Sequence, residues 1–312
     1  MKFLFAIWLT ATGAFAQSNN PNLYIVNKNG NTLSILNTRS LAIEHTVAVG
    51  NGPHEVAIAP NGAIAYVANA AGNSVSVVDL KTRTEKKITG PDFGYPHGVA
   101  FTPDSRRAIV TNENTKKIVV IDTATDQVLR SIATDQAGTH MVVINKAGTI
   151  AFFTNRESNT VSFMDLGDYR IVANVPVGRG AEGIALSPDG REIWVGDRSD
   201  SSVSVIDVAR RQVVAKVPAG ESPVRVTFTP DGKHVLVPDR SNDIRVYDSG
   251  TRKQVASIMV DGNPGGILVS PDGKQAFVAC QGSNDVKVVD TATWKVTKTI
   301  PAGQGPDGLA LH

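Results

Sequence analysis

Apolar and polar residues alternate in short runs along this chain, and no stretch has helical spacing. Val75-Ser76-Val77-Val78 and Val203-Ser204-Val205-Ile206 are typical, each with the period of two that marks a strand. Between such runs a turn recurs as Ala59-Pro60-Asn61-Gly62, Thr102-Pro103-Asp104-Ser105, Asn145-Lys146-Ala147-Gly148, Ser187-Pro188-Asp189-Gly190, Thr229-Pro230-Asp231-Gly232 and Ser270-Pro271-Asp272-Gly273. Proline presets its own φ, Asp bonds nearby backbone and Gly accepts positive φ, so these segments are predicted hairpin turns. Later in each unit an alternating strand ends in an acid, at Asp79, Asp122, Asp165, Asp207, Asp248 and Asp290, spaced 41 to 43 residues apart. A further copy stands at the front, where Thr32-Leu33-Ser34-Ile35-Leu36-Asn37 places Asn37 42 residues before Asp79.

Short strands in fours, repeated about every 40 to 45 residues, predict a β-propeller. Pro306-Asp307-Gly308-Leu309-Ala310-Leu311 reads as a first strand with nothing after it to pair with, while the N-terminal segment supplies strands two to four. The expected fold is therefore all-β: a seven-bladed β-propeller of four-stranded blades, its ring closed by N- and C-terminal strands sharing one blade. A linear solenoid would need polar caps at its ends, and neither end has one.

The second strands read Tyr66-Val67-Ala68-Asn69, Ile109-Val110-Thr111-Asn112 and Phe152-Phe153-Thr154-Asn155. On these residues the chain resembles the YVTN-repeat seven-bladed β-propellers of exported proteins, in the lactonase-like propeller superfamily, over essentially its whole mature length. The resemblance implies the fold more than the function, since similar propellers include lactonase-type hydrolases, cofactor-associated periplasmic proteins and binding modules. Later units depart from the motif, with Trp194-Val195-Gly196-Asp197, Leu236-Val237-Pro238-Asp239 and Phe277-Val278-Ala279-Cys280.

The second position of each innermost strand carries, in order, His54, His97, His140, Glu182, Val224, Gly265 and Asp307, and the loop after each second strand carries Lys28, Ala70, Glu113, Arg156, Arg198, Arg240 and Gln281. Both sets belong at one mouth of the axial channel. Imidazoles in consecutive blades, with Glu182 beside them, form a candidate site for a divalent transition metal such as Zn, Cu or Fe. Arg156, Arg198 and Arg240, with Glu113, form a candidate rim for a small anionic molecule. A metal there would permit lyase or lactone-hydrolase chemistry, with Glu182 or Asp307 as candidate catalytic proton carriers. Against this stand blander expectations: imidazoles that only fill the channel, and arginines paired with Asp197, Asp239 and Glu113. Whether the protein is an enzyme, a binding propeller or a surface propeller whose partner is another exported protein stays open at this level.

Composition narrows the field. With 31 Lys+Arg against 29 Asp+Glu the net charge is +2, so no nucleic-acid partner is expected. The 41% hydrophobic content suits a well-cored protein. A single Cys excludes an internal disulfide, and without Cys-x-x-C no c-type haem is expected. Cys280 itself reads as a half-buried, inert thiol. Gly178-Arg179-Gly180-Ala181-Glu182-Gly183 fits a dinucleotide fingerprint but leads into a strand, so no nucleotide cofactor is expected. Lys2, the apolar run Phe3 to Leu9 and Ala14-Phe15-Ala16 predict a signal peptide over residues 1–16, ahead of a single propeller domain over 17–312. The run is too short to span a membrane and no Cys follows it to take a lipid. The expectation is an exported monomer, periplasmic or secreted, neither a lipoprotein nor inserted in a membrane.

Overall fold

A computed structural model describes residues 21–312, so the signal-peptide reading of residues 1–16 lies outside the described residues. Within them the chain forms seven four-stranded antiparallel sheets. Blade one joins Asn22–Asn27, Thr32–Asn37 and Ala42–Ala48 to the last strand, Pro306–Leu311. Blades two to seven follow at 53–89, 96–133, 139–176, 181–218, 223–259 and 264–301. The first strand of each blade packs against the first strand of the next, and together these strands surround the axial channel. Ring closure is a strand pairing, with Leu23 opposite Leu311, Tyr24 opposite Ala310 and Ile25 opposite Leu309. No sheet edge is left open at the join.

The repeat residues have local physical causes. Asp79 accepts hydrogen bonds from the backbone N–H groups of Lys81 and Thr82; Asp122 and Asp290 likewise accept from two backbone N–H groups of their own turns, and Asp165, Asp207 and Asp248 from one each. The periodic acid is thus a turn device joining strands three and four. In the hairpins between strands one and two, Thr102, Ser187, Thr229 and Ser270 each donate to the Asp two residues on, at 2.6 to 2.7 Å. Gly190, Gly232 and Gly273 hold φ near 73° there, and in blade three Ser105 takes the same conformation at 60°.

The Thr-Asn ending of the second strand has two tasks. Asn69 donates to Ser74 and Ser76 of its own blade at 3.1 and 2.9 Å. Thr111 accepts the Gly98 N–H at 2.8 Å and donates to the carbonyl of His140 in the next blade. Thr154 likewise accepts from Met141 and donates to Glu182 O at 2.9 Å. Blades are therefore stitched to their neighbours at the level of the channel mouth.

Between blades lies the apolar core. Tyr66, Val75 and Val77 of blade two pack with Phe101, Val110 and Val119 of blade three, and Trp194 and Val205 of blade five pack with Val235 and Tyr247 of blade six. Each such side chain, fully buried, stabilises the fold by about 1.5–3 kcal/mol. This rigid wall fixes where the inner strands begin.

Candidate metal centre at the channel mouth

Most inner strands open with a bulge, seen as a register shift between Pro53 and Glu55, Pro96 and Val99, Thr139 and Val142, Ala181 and Ile184, and Pro264 and Ile267. A bulge re-aims one side chain, and here it aims the second residue of the strand at the axis. The residue after it faces the neighbouring inner strand. Gly98 sits there in blade three, where a β-carbon would come within 2.7 Å of the His140 carbonyl oxygen.

The three histidines meet as the sequence register predicts. His97 lies between the other two rings, its centroid 3.8 Å from that of His54 and 3.6 Å from that of His140, while His54 and His140 are 6.5 Å apart. All three are buried. Burial, then the neighbouring imidazoles, holds His97 well below its ordinary pKa; burial, then Arg225, does the same for His140. Both shifts favour the neutral ring, whose one unprotonated nitrogen can act as a ligand. Both nitrogens of His97, and Nδ1 of His54 and of His140, are enclosed without a hydrogen-bond partner. Enclosed polar atoms of this kind are rare in folded proteins.

Carboxylates border the stack at both ends. Asp307 Oδ2 lies 3.0 Å from His54 Nδ1, near enough for charge attraction though not aligned as a hydrogen bond. Glu113 Oε1 lies 3.5 Å from His140 Nε2, and burial raises the Glu113 carboxyl against the opposing charge of Arg156. Two ligand groups result, His54 with Glu55 and His97, and His97 with Glu113 and His140, each with its ligand atoms within 4.8 Å of one another.

Other expected site residues are placed differently. Glu182 was grouped with the histidines as a metal ligand, but its carboxylate is held by Arg198 at 3.1 Å, and Glu113 is the acid beside His140. Arg156 pairs with Glu113 at 3.1 Å. Arg198 pairs with Glu182, not Asp197, because Asp197 is taken by Ser202, Ser204 and the Gly178 N–H. Arg240 donates to Asn263 and Gln281 at 3.1 and 3.3 Å, not to Asp239, which accepts from Ser222 and Ser241. Each of the three arginines is already partnered.

Glu55 and Arg225 are site residues that the register reading missed. Arg225, in blade six, donates to Glu55 of blade two and lies 3.9 Å from Asp307 of blade one. Burial is the largest influence on Glu55 and works to raise its pKa, but Arg225 and His54 together outweigh it and hold the carboxyl below its ordinary value. The inner strand of blade six is regular only over Thr227–Phe228. Its partner Pro238 has no N–H to offer, so apart from the Val224 N–H, which donates to Pro238 O at 3.2 Å, residues 224–226 stay out of the ladder and Arg225 extends inward. A signal was present: the position after the channel residue is Gly98, Gly183, Gly266 and Gly308 in four blades, so a charge at Glu55 or Arg225 departs from the repeat.

A seven-bladed propeller with an imidazole and carboxylate cluster at its mouth is the class that fold and site define. The chain belongs to the family described as lactonase, seven-bladed β-propeller, whose pattern it matches over residues 15–253; residues 227–311 also match the YNCE-like β-propeller. No curated protein sequence matches it. Among solved structures it is similar to Kuenenia stuttgartiensis hydrazine synthase, at 20% identity and a TM-score of 0.75, covering 86% of this chain and 92% of that one. It is also similar to a functionally unknown protein from Desulfotomaculum acetoxidans, at 17% identity and a TM-score of 0.80, covering 93% and 98%. At these identities the likeness concerns the fold.

Proposed function

We propose that this is an exported propeller that binds a divalent transition metal, Zn, Cu or Fe, through the channel-mouth histidines. The observation that carries the reading is His97, buried between two further imidazoles, with both ring nitrogens unpartnered and carboxylates at either end of the stack. Neutral imidazole is the favoured ligand of these metals, and buried carboxylates offset the charge of the ion. Export is supported by Lys2, the apolar run and Ala14-Phe15-Ala16. Elemental analysis of the desalted protein after incubation with Zn or Cu tests the reading. Stoichiometric metal is expected, and its loss in the folded triple variant His54→Ala, His97→Ala, His140→Ala. Equal metal in that variant would place the ion elsewhere.

The family match over residues 15–253 favours a second reading, lactone hydrolysis at the same mouth. A metal there would polarise the carbonyl or activate water. Asp307, beside His54, is the chain's own candidate to carry a proton, and Glu182 becomes the anchor that aims Arg198 at an anion. Arg198 stays more than a third exposed, so it can take a carboxylate or phosphate on its free edge. Arg198→Ala is expected to weaken inhibition by simple hydroxy acids; unchanged inhibition would leave Arg198 a structural partner of Glu182.

A further inference from the structure

We propose that the channel mouth holds two metal ions rather than one, bridged by the imidazole of His97. The inference rests on the metal-binding reading above and deepens it.

The ligand atoms do not converge on one point. They divide into a group around His54 and Glu55 and a group around Glu113 and His140, and among the described residues no such group joins His54 to His140. An ion binding nitrogen at about 2.0–2.1 Å needs its donors mutually close, so one ion satisfies one group and leaves the far histidine unused.

His97 belongs to both groups and is equipped for both. A histidine that binds one metal usually gives its other ring nitrogen to a carboxylate or carbonyl, which fixes the ring. His97 has no such partner on either nitrogen, although the ring is buried. One ion on each nitrogen satisfies both. The ring proton of neutral His97 leaves to solvent as the second ion binds, and no ion changes oxidation state.

The surroundings are matched on the two sides. On one side Arg225 holds Glu55 next to His54; on the other Arg156 holds Glu113 next to His140. Each ion thus has an outer imidazole, a carboxylate steadied by a guanidinium, and one nitrogen of the shared ring. The outer rings lie over the two faces of His97 at 3.8 and 3.6 Å, tilted by 44° and 30°, so loading requires each to swing from its face toward the ring edge at which its own ion sits.

Copper is the informative probe, because two Cu(II) ions joined through one imidazole ring couple their spins. The full-length chain, stripped with chelator, is loaded with excess Cu(II), desalted, and measured for copper content and for electron paramagnetic resonance intensity. Two ions per chain with depressed signal intensity are expected. His54→Ala and His140→Ala should each keep one ion with full intensity, and His97→Gln should lose both on desalting. Where His97→Gln does not fold by circular dichroism, the wild-type stoichiometry and intensity decide. One ion per wild-type chain, or two with full uncoupled intensity, overturns the bridge and leaves the metal-binding reading standing. No retained copper or zinc overturns that reading as well.

Discussion

Arg225 and Glu55 stand 170 residues apart in sequence and share a hydrogen bond across the channel. Both are buried, so neither charge is free to return to water. Removing one partner strands the other, at a cost of about 3–5 kcal/mol, whereas removing both removes the conflict. Arg225→Met and Glu55→Gln are each expected to lower stability by that order in urea denaturation. The double variant should recover most of the loss; additive losses would show that the two residues act independently.

Thr111 is expected to matter more than its size implies. Its hydroxyl accepts from Gly98 and donates to His140 O, joining blades three and four directly behind the histidine stack. Thr111→Val keeps the shape but leaves the buried Gly98 N–H unpaired, costing about 1–3 kcal/mol. Chemical denaturation checks the magnitude, and a change under about 0.5 kcal/mol would mean that the stitch is dispensable.

Strong acid should loosen the hairpins between strands one and two. Hydroxyl donors chiefly, then backbone N–H groups, hold Asp104, Asp189, Asp231 and Asp272 below their ordinary value of 3.8. Because the folded pKa is depressed, their contribution is fully present above about 3.8 and is lost as pH falls through the lower folded value. A quadruple Asp→Asn variant should therefore show a shallower fall in stability than the wild type as pH drops below 4. Identical slopes would mean that these turns do not sense the charge.

Cys280 should be silent in the native protein. Burial, and after it Asp285, pushes the thiol up to about 12, and the side chain has no exposure. At pH 8 the thiolate fraction is then about one in ten thousand. A thiol reagent is expected to label the chain only in denaturant, and fast labelling of folded protein would contradict the burial.

The repeat made the fold legible because each of its residues has a local task. Asp79 and its counterparts bond their own turns, and Asn69 bonds its own blade, so every copy of the motif repeats for the same reason. The histidine cluster was legible for the same cause: identical register in consecutive blades forces His54, His97 and His140 together. What register could not give was pairing around the ring. Glu182 was placed with the histidines, but the partner of Arg198 depends on loop geometry above the strand starts, and the Arg225 to Glu55 contact depends on a strand broken opposite Pro238. Cys280 reads from the sequence as half-buried, but the packing between blades encloses it wholly.

Asp307 sits on the strand that closes the ring, which ties completion of the site to ring closure. Until Leu311 pairs with Leu23, His54 has no Asp307 beside it and Arg225 has one acid in place of two. That pairing is among the longest-range contacts in the molecule, the kind that forms late because a long loop must first be closed. The channel mouth is thus completed by the same event that joins the chain's two ends, and a ring still open offers a cation the histidines without their full set of acids.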